Sequence, residues 1–191
     1  MTRKQMLLYL VIFLFTTMFG WMTLRFYDIK SRLLHKPLAS MKELISSVAE
    51  VIIPKTDTPG AAEAGVADYI VKVGSTCISD RERIGLIKGL EILEKYSYQT
   101  YSSSFTDCSD SQKIEILSYF EVKSTYGVMI FDKVYRKIWG RPFFSIIKEL
   151  TVFGYCRSML GATEGLSYDH IPGDFLSCIP LKNRQKSWAT K

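Results

Sequence analysis

Residues 52–70 read IIPKTDTPGAAEAGVADYI, and this stretch decides the fold because one helix must stop in it and another must start. Pro54 lacks a backbone N–H and biases Ile53 towards an extended conformation, so the apolar run from Ile45 to Ile53 cannot continue as helix past it. Thr58 is placed to accept the first free N–H groups of the next helix, and Pro59 suits a first helical position. Gly60 to Ala64 brings in small residues that let another backbone come close. Lys55, Thr56 and Asp57 form a short polar link whose Thr and Asp side chains can bond neighbouring backbone. The stretch is a helix-turn-helix corner, with a partner-docking loop as the functional alternative.

Outward from the corner the pattern is helical. Three capping boxes, Ser40 with Glu43, Ser79 with Glu82 and Ser109 with Gln112, mark helix starts. The first helix runs from Ser40 to about Ile53, and the second takes Ala61 to Val73 and stops at Gly74. The third follows Ser79, with Ile84, Ile87, Leu90 or Glu91, Leu93 or Glu94 and Tyr98 as an apolar stripe opposite Arg81, Lys88 and Lys95. A Ser/Thr-rich link, Ser102 to Ser111, leads to a fourth helix around Ile114, Leu117, Tyr119, Phe120 and Val122. Tyr126 to Trp139 carries Val128, Phe131, Val134, Tyr135 and Ile138 at helical spacing and predicts a fifth, and Phe143 to Leu160 a sixth, ended by Gly161. No alternating stretch is long enough for a sheet. The fold class is all-α: a small helical bundle with an N-terminal transmembrane anchor and an irregular C-terminal tail. Residues 1–36 are the anchor and its basic flank, 37–180 the helical domain, and 181–191 a basic tail.

The anchor is Met6 to Leu24, MLLYLVIFLFTTMFGWMTL, 19 residues without a charge. That is near the minimum to span a bilayer and longer than a cleavable signal core, and no small-x-small cleavage site follows it. Arg25, Lys30, Arg32 and Lys36 outnumber Arg3 and Lys4, which by charge counting alone puts the body in the cytoplasm. The formal charge of +6 divides as +5 in residues 1–36 and +4 in 180–191, leaving the 143 residues between at −3. The folded part is therefore slightly acidic, and the basic ends read as membrane-flanking or solvated tails, not as a nucleic-acid surface.

Gly161 to Pro180, GATEGLSYDHIPGDFLSCIP, has little periodicity, yet Leu166, Tyr168, Ile171, Phe175, Leu176 and Ile179 are too apolar for a free linker. They wrap back over the bundle or pack on another polypeptide. The last residues, LKNRQKSWATK, read as a frayed end.

Chemistry-bearing constellations are sparse. His35 and His170 are the two histidines, and nothing in the sequence brings them together. Asp169, His170 and Cys178 suggest a thiol site only if they meet in space; His170 reads as a turn residue. Gly85 and Gly89 sit inside an apolar-periodic helix, where they mark close helix contacts and not a phosphate loop. Glu63 with Asp68 and Glu91 with Glu94 read as solvated faces, and Tyr96, Tyr98 and Tyr101 as an aromatic patch of core or interface. Cys77, Cys108, Cys156 and Cys178 form no CxxC pair. Outside the cytoplasm they permit two disulfides among three pairings, Cys156 with Cys178 being one candidate bridge; in a reducing compartment they are four small core residues. No catalytic, cofactor-binding or metal-ligating residue is expected.

The corner IIPKTDTPGAAEAGVADYI, taken with GYCRSMLGATEGLSYDHIPGDFLSCIP from Gly154 to Pro180, resembles the gluconate 2-dehydrogenase subunit 3 family over roughly residues 40 to 180. The matching positions are Pro54, Thr56, Asp57, Thr58, Pro59, Gly60, Ala61 and Gly65, then Gly154, Tyr155, Gly161, Ala162, Thr163, Tyr168, Pro172, Gly173 and Cys178. The resemblance implies the small, non-catalytic subunit of a membrane-associated flavin dehydrogenase complex, with these positions as structural and docking residues. It further implies FAD on a large dehydrogenase subunit, haem on a cytochrome c subunit, and a small subunit that helps export or maturation of the flavoprotein. Related small subunits carry a twin-arginine signal where this chain has Arg3 and Lys4, so a Sec-type inner-membrane anchor with the body on the periplasmic side is expected instead. The alternative from a different class is a stand-alone membrane-anchored redox protein or electron carrier.

Overall fold

The computed structural model describes residues 13, 15–18, 20–21, 36–124, 140–171, 173–174, 178, 180–181 and 183–189. The chain divides into two compact units, Met1–Lys36 and Pro37–Lys191. In the first, the described residues 13, 15–18 and 20–21 are helical. Most of Met6 to Leu24 lies outside the described residues, and among those described no helix is long and apolar enough to cross a membrane. The expected fifth helix, Tyr126 to Trp139, also lies outside them.

The second unit holds five described α-helices: α1 (Lys42–Ile52), α2 (Val66–Thr76), α3 (Asp80–Tyr101), α4 (Asp110–Ser124) and α5 (Phe143–Arg157). Among the described residues the only β pairing is an isolated bridge between Ser167 and Trp188. Two of the three capping boxes form. Glu82 N–H donates to Ser79 Oγ at 3.3 Å while Ser79 N–H donates to Glu82 Oε2 at 3.4 Å, which starts α3. Ser109 N–H donates to Gln112 Oε1 at 2.9 Å and Gln112 N–H to Ser109 Oγ at 3.4 Å, which starts α4. The Ser40 box does not form. Leu38–Met41 is a 3₁₀ turn in which Ser40 Oγ donates to the Pro37 carbonyl at 2.8 Å, so the hydroxyl is used one turn early and α1 begins at Lys42.

Helix α5 packs against all four other helices and is the centre of the unit. It buries Phe144, Ile146, Ile147, Leu150, Thr151, Gly154 and Tyr155. Around it lie Ile45, Val48 and Ala49 of α1, Ile70 of α2, Leu86, Ile87, Leu90 and Leu93 of α3, and Ile116 and Leu117 of α4. Each large aliphatic among them contributes about 1.5–3 kcal/mol by leaving water. The stripe on α3 is rotated from the expected one: Leu86, Ile87, Leu90, Leu93 and Ser97 are inward, while Tyr98 is 54 % exposed. Gly89 explains the shift, because a Cβ there would overlap the Phe143 ring, so α3 turns its smallest residue towards α5.

Two helix ends and one link differ from expectation. Gly74 does not end α2; it is buried in the helix, where a Cβ would lie 2.9 Å from Leu38 Cδ1, and α2 continues to Thr76. Helix α5 stops at Arg157, where Ser158 adopts an extended conformation, and a π turn over Gly161–Gly165 follows. The Ser102 to Ser111 link is built, not free. Glu94, expected on a solvated face, accepts from Ser104 Oγ at 2.7 Å and Phe105 N–H at 3.3 Å, seating Phe105 fully buried in the core.

The tyrosine patch disperses: Tyr96 stacks on Tyr119 with ring centroids 4.7 Å apart, and Tyr101 donates to Glu115 at 2.7 Å, a bond that raises the Tyr101 pKa above the ordinary phenol range. The four cysteines are unlinked in this structure, Cys108 buried against Ser97 and Cys178 exposed.

Gly85 and Gly89 give opposite expectations. A Cβ at Gly85 meets nothing within 4 Å. Gly85→Ala should stabilise by about 0.5–1 kcal/mol through helix propensity. Gly89→Ala, which strikes the Phe143 ring, should cost about 1–3 kcal/mol. Urea unfolding of both variants checks the signs.

Candidate docking corner

The corner is built on Glu50, in the last turn of α1. A carboxylate there faces the negative end of the helix dipole, an unfavourable place unless it finds donors. It finds two: Lys55 N–H donates to Oε1 at 2.9 Å and Ala62 N–H to Oε2 at 2.8 Å. Bonds of backbone N–H to an ionised oxygen are among the stronger ones available to a loop. Because the two donors sit on opposite arms of the corner, one side chain closes it, and Ala61 N–H adds a bond to the Ile53 carbonyl at 2.9 Å. A Cβ at Gly60 would overlap the Glu50 carboxylate, so the glycine is what lets the carboxylate reach across.

The second helix therefore starts later than Ala61. Ala64 N–H bonds to the Gly60 carbonyl and Val66 N–H to that of Ala61, a wound turn that ends at Gly65, whose φ of 68° is left-handed. That conformation breaks the helix register, and α2 begins only at Val66. Thr58 is not its cap, nor Pro59 its first residue: the Thr58 hydroxyl lies 3.3 Å from that of Thr56, and Pro59 is buried in the turn.

A second contact fixes the corner from behind. The Tyr155 hydroxyl, on α5 and buried, donates to the Pro59 carbonyl at 2.8 Å across 96 residues of sequence. Small residues make room for it. A Cβ at Gly165 would come 2.6 Å from the Tyr155 hydroxyl, and one at Gly154 would come 2.7 Å from Tyr69 Cδ1 on α2. Gly161 is buried against the Tyr155 carbonyl, with its N–H donating to Ser158 Oγ at 2.9 Å.

The structure thus brings together Pro59, Gly60, Gly154, Tyr155 and Gly161 as one packed unit. Pro54, Thr56 and Asp57 stand exposed at its tip, where Thr56 Oγ1 donates to Asp57 Oδ1 at 3.0 Å. Thr58 and Ala162 are half-buried, and Gly65 and Thr163 are exposed, Thr163 bonding the Met159 carbonyl at 2.8 Å. Farther along, Tyr168 is 44 % exposed and Ile171 84 % exposed, so this part of the tail does not bury them on the bundle. Gly173 is exposed, and Pro172, Phe175, Leu176 and Ile179 lie outside the described residues. Of the expected frayed end, the described residues up to Ala189 are held: Ser167 N–H bonds to the Ser187 carbonyl and Ala189 N–H to that of Ser167, both at 2.8 Å, and Lys186 bonds the Glu164 carbonyl.

Beside the corner a cleft of about 590 Å³ opens between α1, the loop and α4, with Glu43, Glu50, Lys55, Asp110 and Lys113 around an apolar floor of Val51, Pro54 and Ile114. Glu50 escaped sequence reasoning as an organiser; an acid in the last turn before Ile-Ile-Pro was its one local signal. Tyr155 stands among the positions that match the family pattern, but its partner, a carbonyl 96 residues away, has no local signal in the sequence.

In comparison with known proteins, residues 39–173 match the model of the family described as gluconate 2-dehydrogenase subunit 3. No curated protein and no solved structure matches the chain.

Tyr155→Phe leaves the buried Pro59 carbonyl without its donor and should cost about 1–3 kcal/mol in urea unfolding with secondary structure retained by circular dichroism.

Proposed function

We propose that this chain, which belongs to the gluconate 2-dehydrogenase subunit 3 family, acts as the non-catalytic accessory subunit of a membrane-bound, FAD-dependent sugar or sugar-acid dehydrogenase. Family membership makes it a subunit of a gluconate 2-dehydrogenase-type complex. Its docking surface on the large flavin-binding subunit is the Pro54 to Gly65 corner together with the segment that begins at Gly161. FAD resides on the large subunit and haem on a cytochrome c subunit, while this chain supports export, maturation or membrane association of the flavoprotein.

One observation carries this reading: two motifs distant in sequence meet through Tyr155 and Pro59 and leave a polar tip and apolar side chains such as Ile171 facing outward. Exposed apolar side chains and an outward polar loop on a fixed frame are what a subunit interface requires of each partner. The uncharged run Met6 to Leu24 supports an inner-membrane anchor, and the family resemblance, against the flanking charge count, supports a body on the periplasmic side.

Expressed with the dehydrogenase genes beside it, the chain should co-purify with a large flavoprotein. A lone monomer beside a dehydrogenase that stays fully active without it sinks the proposal. Purified alone it should lack flavin, haem and iron–sulfur absorbance; colour on the isolated chain would instead favour a redox protein in its own right. A reporter active only in the cytoplasm, fused after Lys191, should be silent, and activity would put the body inside.

A further inference from the structure

We infer that Glu50 and Tyr155 are positioning residues that hold the corner in one conformation before any partner arrives, so that its exposed tip, Pro54 to Asp57, and not the buried Pro59 to Ala61, meets the flavoprotein. The contact half of this inference rests on the docking reading above; the positioning half does not.

The corner has two sides with different chemistry. Pro59, Gly60 and Ala61 are buried, while Pro54, Lys55, Thr56 and Asp57 are exposed. Buried members of a motif cannot touch a partner without unfolding the loop, so their role is internal. The Pro59 carbonyl receives Tyr155, Gly60 leaves space for the Glu50 carboxylate, and Ala61 N–H closes onto Ile53. Exposed Thr56 donates to Asp57 and accepts from the N–H of half-buried Thr58 at 3.4 Å, and Thr56 and Asp57 still face outward.

The geometry of Glu50 sets the device. Its two oxygens each take one N–H, from Lys55 and Ala62 on the two arms of the loop. One carboxylate thereby fixes the separation of the arms, and Tyr155 fixes the loop against α5. A loop restrained before association loses less conformational freedom when it binds, which raises affinity without adding a contact.

Glu50→Gln supplies the test, because the amide keeps one oxygen and turns the other position into a donor facing an N–H. Hydrogen exchange on the full chain should then accelerate at one of Lys55 and Ala62 by about ten-fold or more, and in Glu50→Ala at both, with core amides such as Ile70 unchanged. Gly60→Ala should accelerate both amides in the wild-type background and add nothing in Glu50→Ala, where the carboxylate is gone and the Cβ has room. Tyr155→Phe should loosen the Pro59 side without releasing Lys55. If Glu50→Ala destabilises the whole chain, the Glu50→Gln asymmetry still decides. Unchanged exchange at both amides in Glu50→Gln overturns the clamp whatever the protein docks on.

Co-expression with the flavin dehydrogenase subunit tests the contact. Thr56→Ala with Asp57→Ala should reduce its capture by about ten-fold with exchange at Ala62 unaltered, and Glu50→Gln should reduce it without touching the tip. Faster exchange with capture undiminished leaves the clamp standing and overturns the tip as the contact. A wild-type chain that itself captures no flavoprotein counts against the docking reading and not against the clamp.

Discussion

A hydroxyl buried behind a proline turn holds the two halves of this molecule's surface together. Tyr155 reaches from the last turn of the central helix to the Pro59 carbonyl beside Gly165, where a side chain would strike its hydroxyl, while Gly154 lets the same helix approach Tyr69 of α2. An unmet carbonyl in such a site costs as much as a lost hydrogen bond, so the partner is obligatory once the turn is buried. Helix α5 is therefore both the core of the bundle and the support of the loop.

Carboxylates on helices organise the connections in the same manner. Glu50 takes the N–H groups of Lys55 and Ala62; Glu94 takes the Ser104 hydroxyl and the Phe105 N–H and so drives Phe105 into the core. Both residues would read as surface acids, and neither gains much from water once loop donors surround it. Loops tied in this way can carry recognition on a fixed frame, as binding loops on rigid scaffolds do. The outward Thr56, Asp57 and Ile171 then stand out from a background of residues already used inside.

Much of the helical frame is legible from local chemistry. The boxes at Ser79 and Ser109 begin helices because each needs only residues three apart, and the buried rows of α1 and α5 follow helical period, whereas α4 buries only Ile116 and Leu117 and leaves Ile114, Tyr119 and Val122 exposed. The Ser40 box fails because a neighbouring carbonyl, that of Pro37, competes for the hydroxyl. The α3 stripe lies about one position away from where periodicity puts it, because period alone does not say which neighbour approaches; Phe143 chose Gly89. Gly85, of the same type on the same helix, touches nothing, and only packing separates the two.

The chain by itself determined that a helix stops at Pro54, that helices alternate with short polar links, and that two separated motifs mark its family, since each of these rests on near neighbours or on residue identity. Tertiary structure alone decided what the motif residues do. Gly60 is small because the Glu50 carboxylate passes beside it on its way to Ala62, and Pro59 is buried because a tyrosine 96 residues away needs its carbonyl. Helix α2 waits for Val66 because Gly65 turns left-handed. The physical reason is the range of the interactions: capping and periodicity act within a turn of helix, whereas the corner is held by side chains that reach it only when the helices have packed.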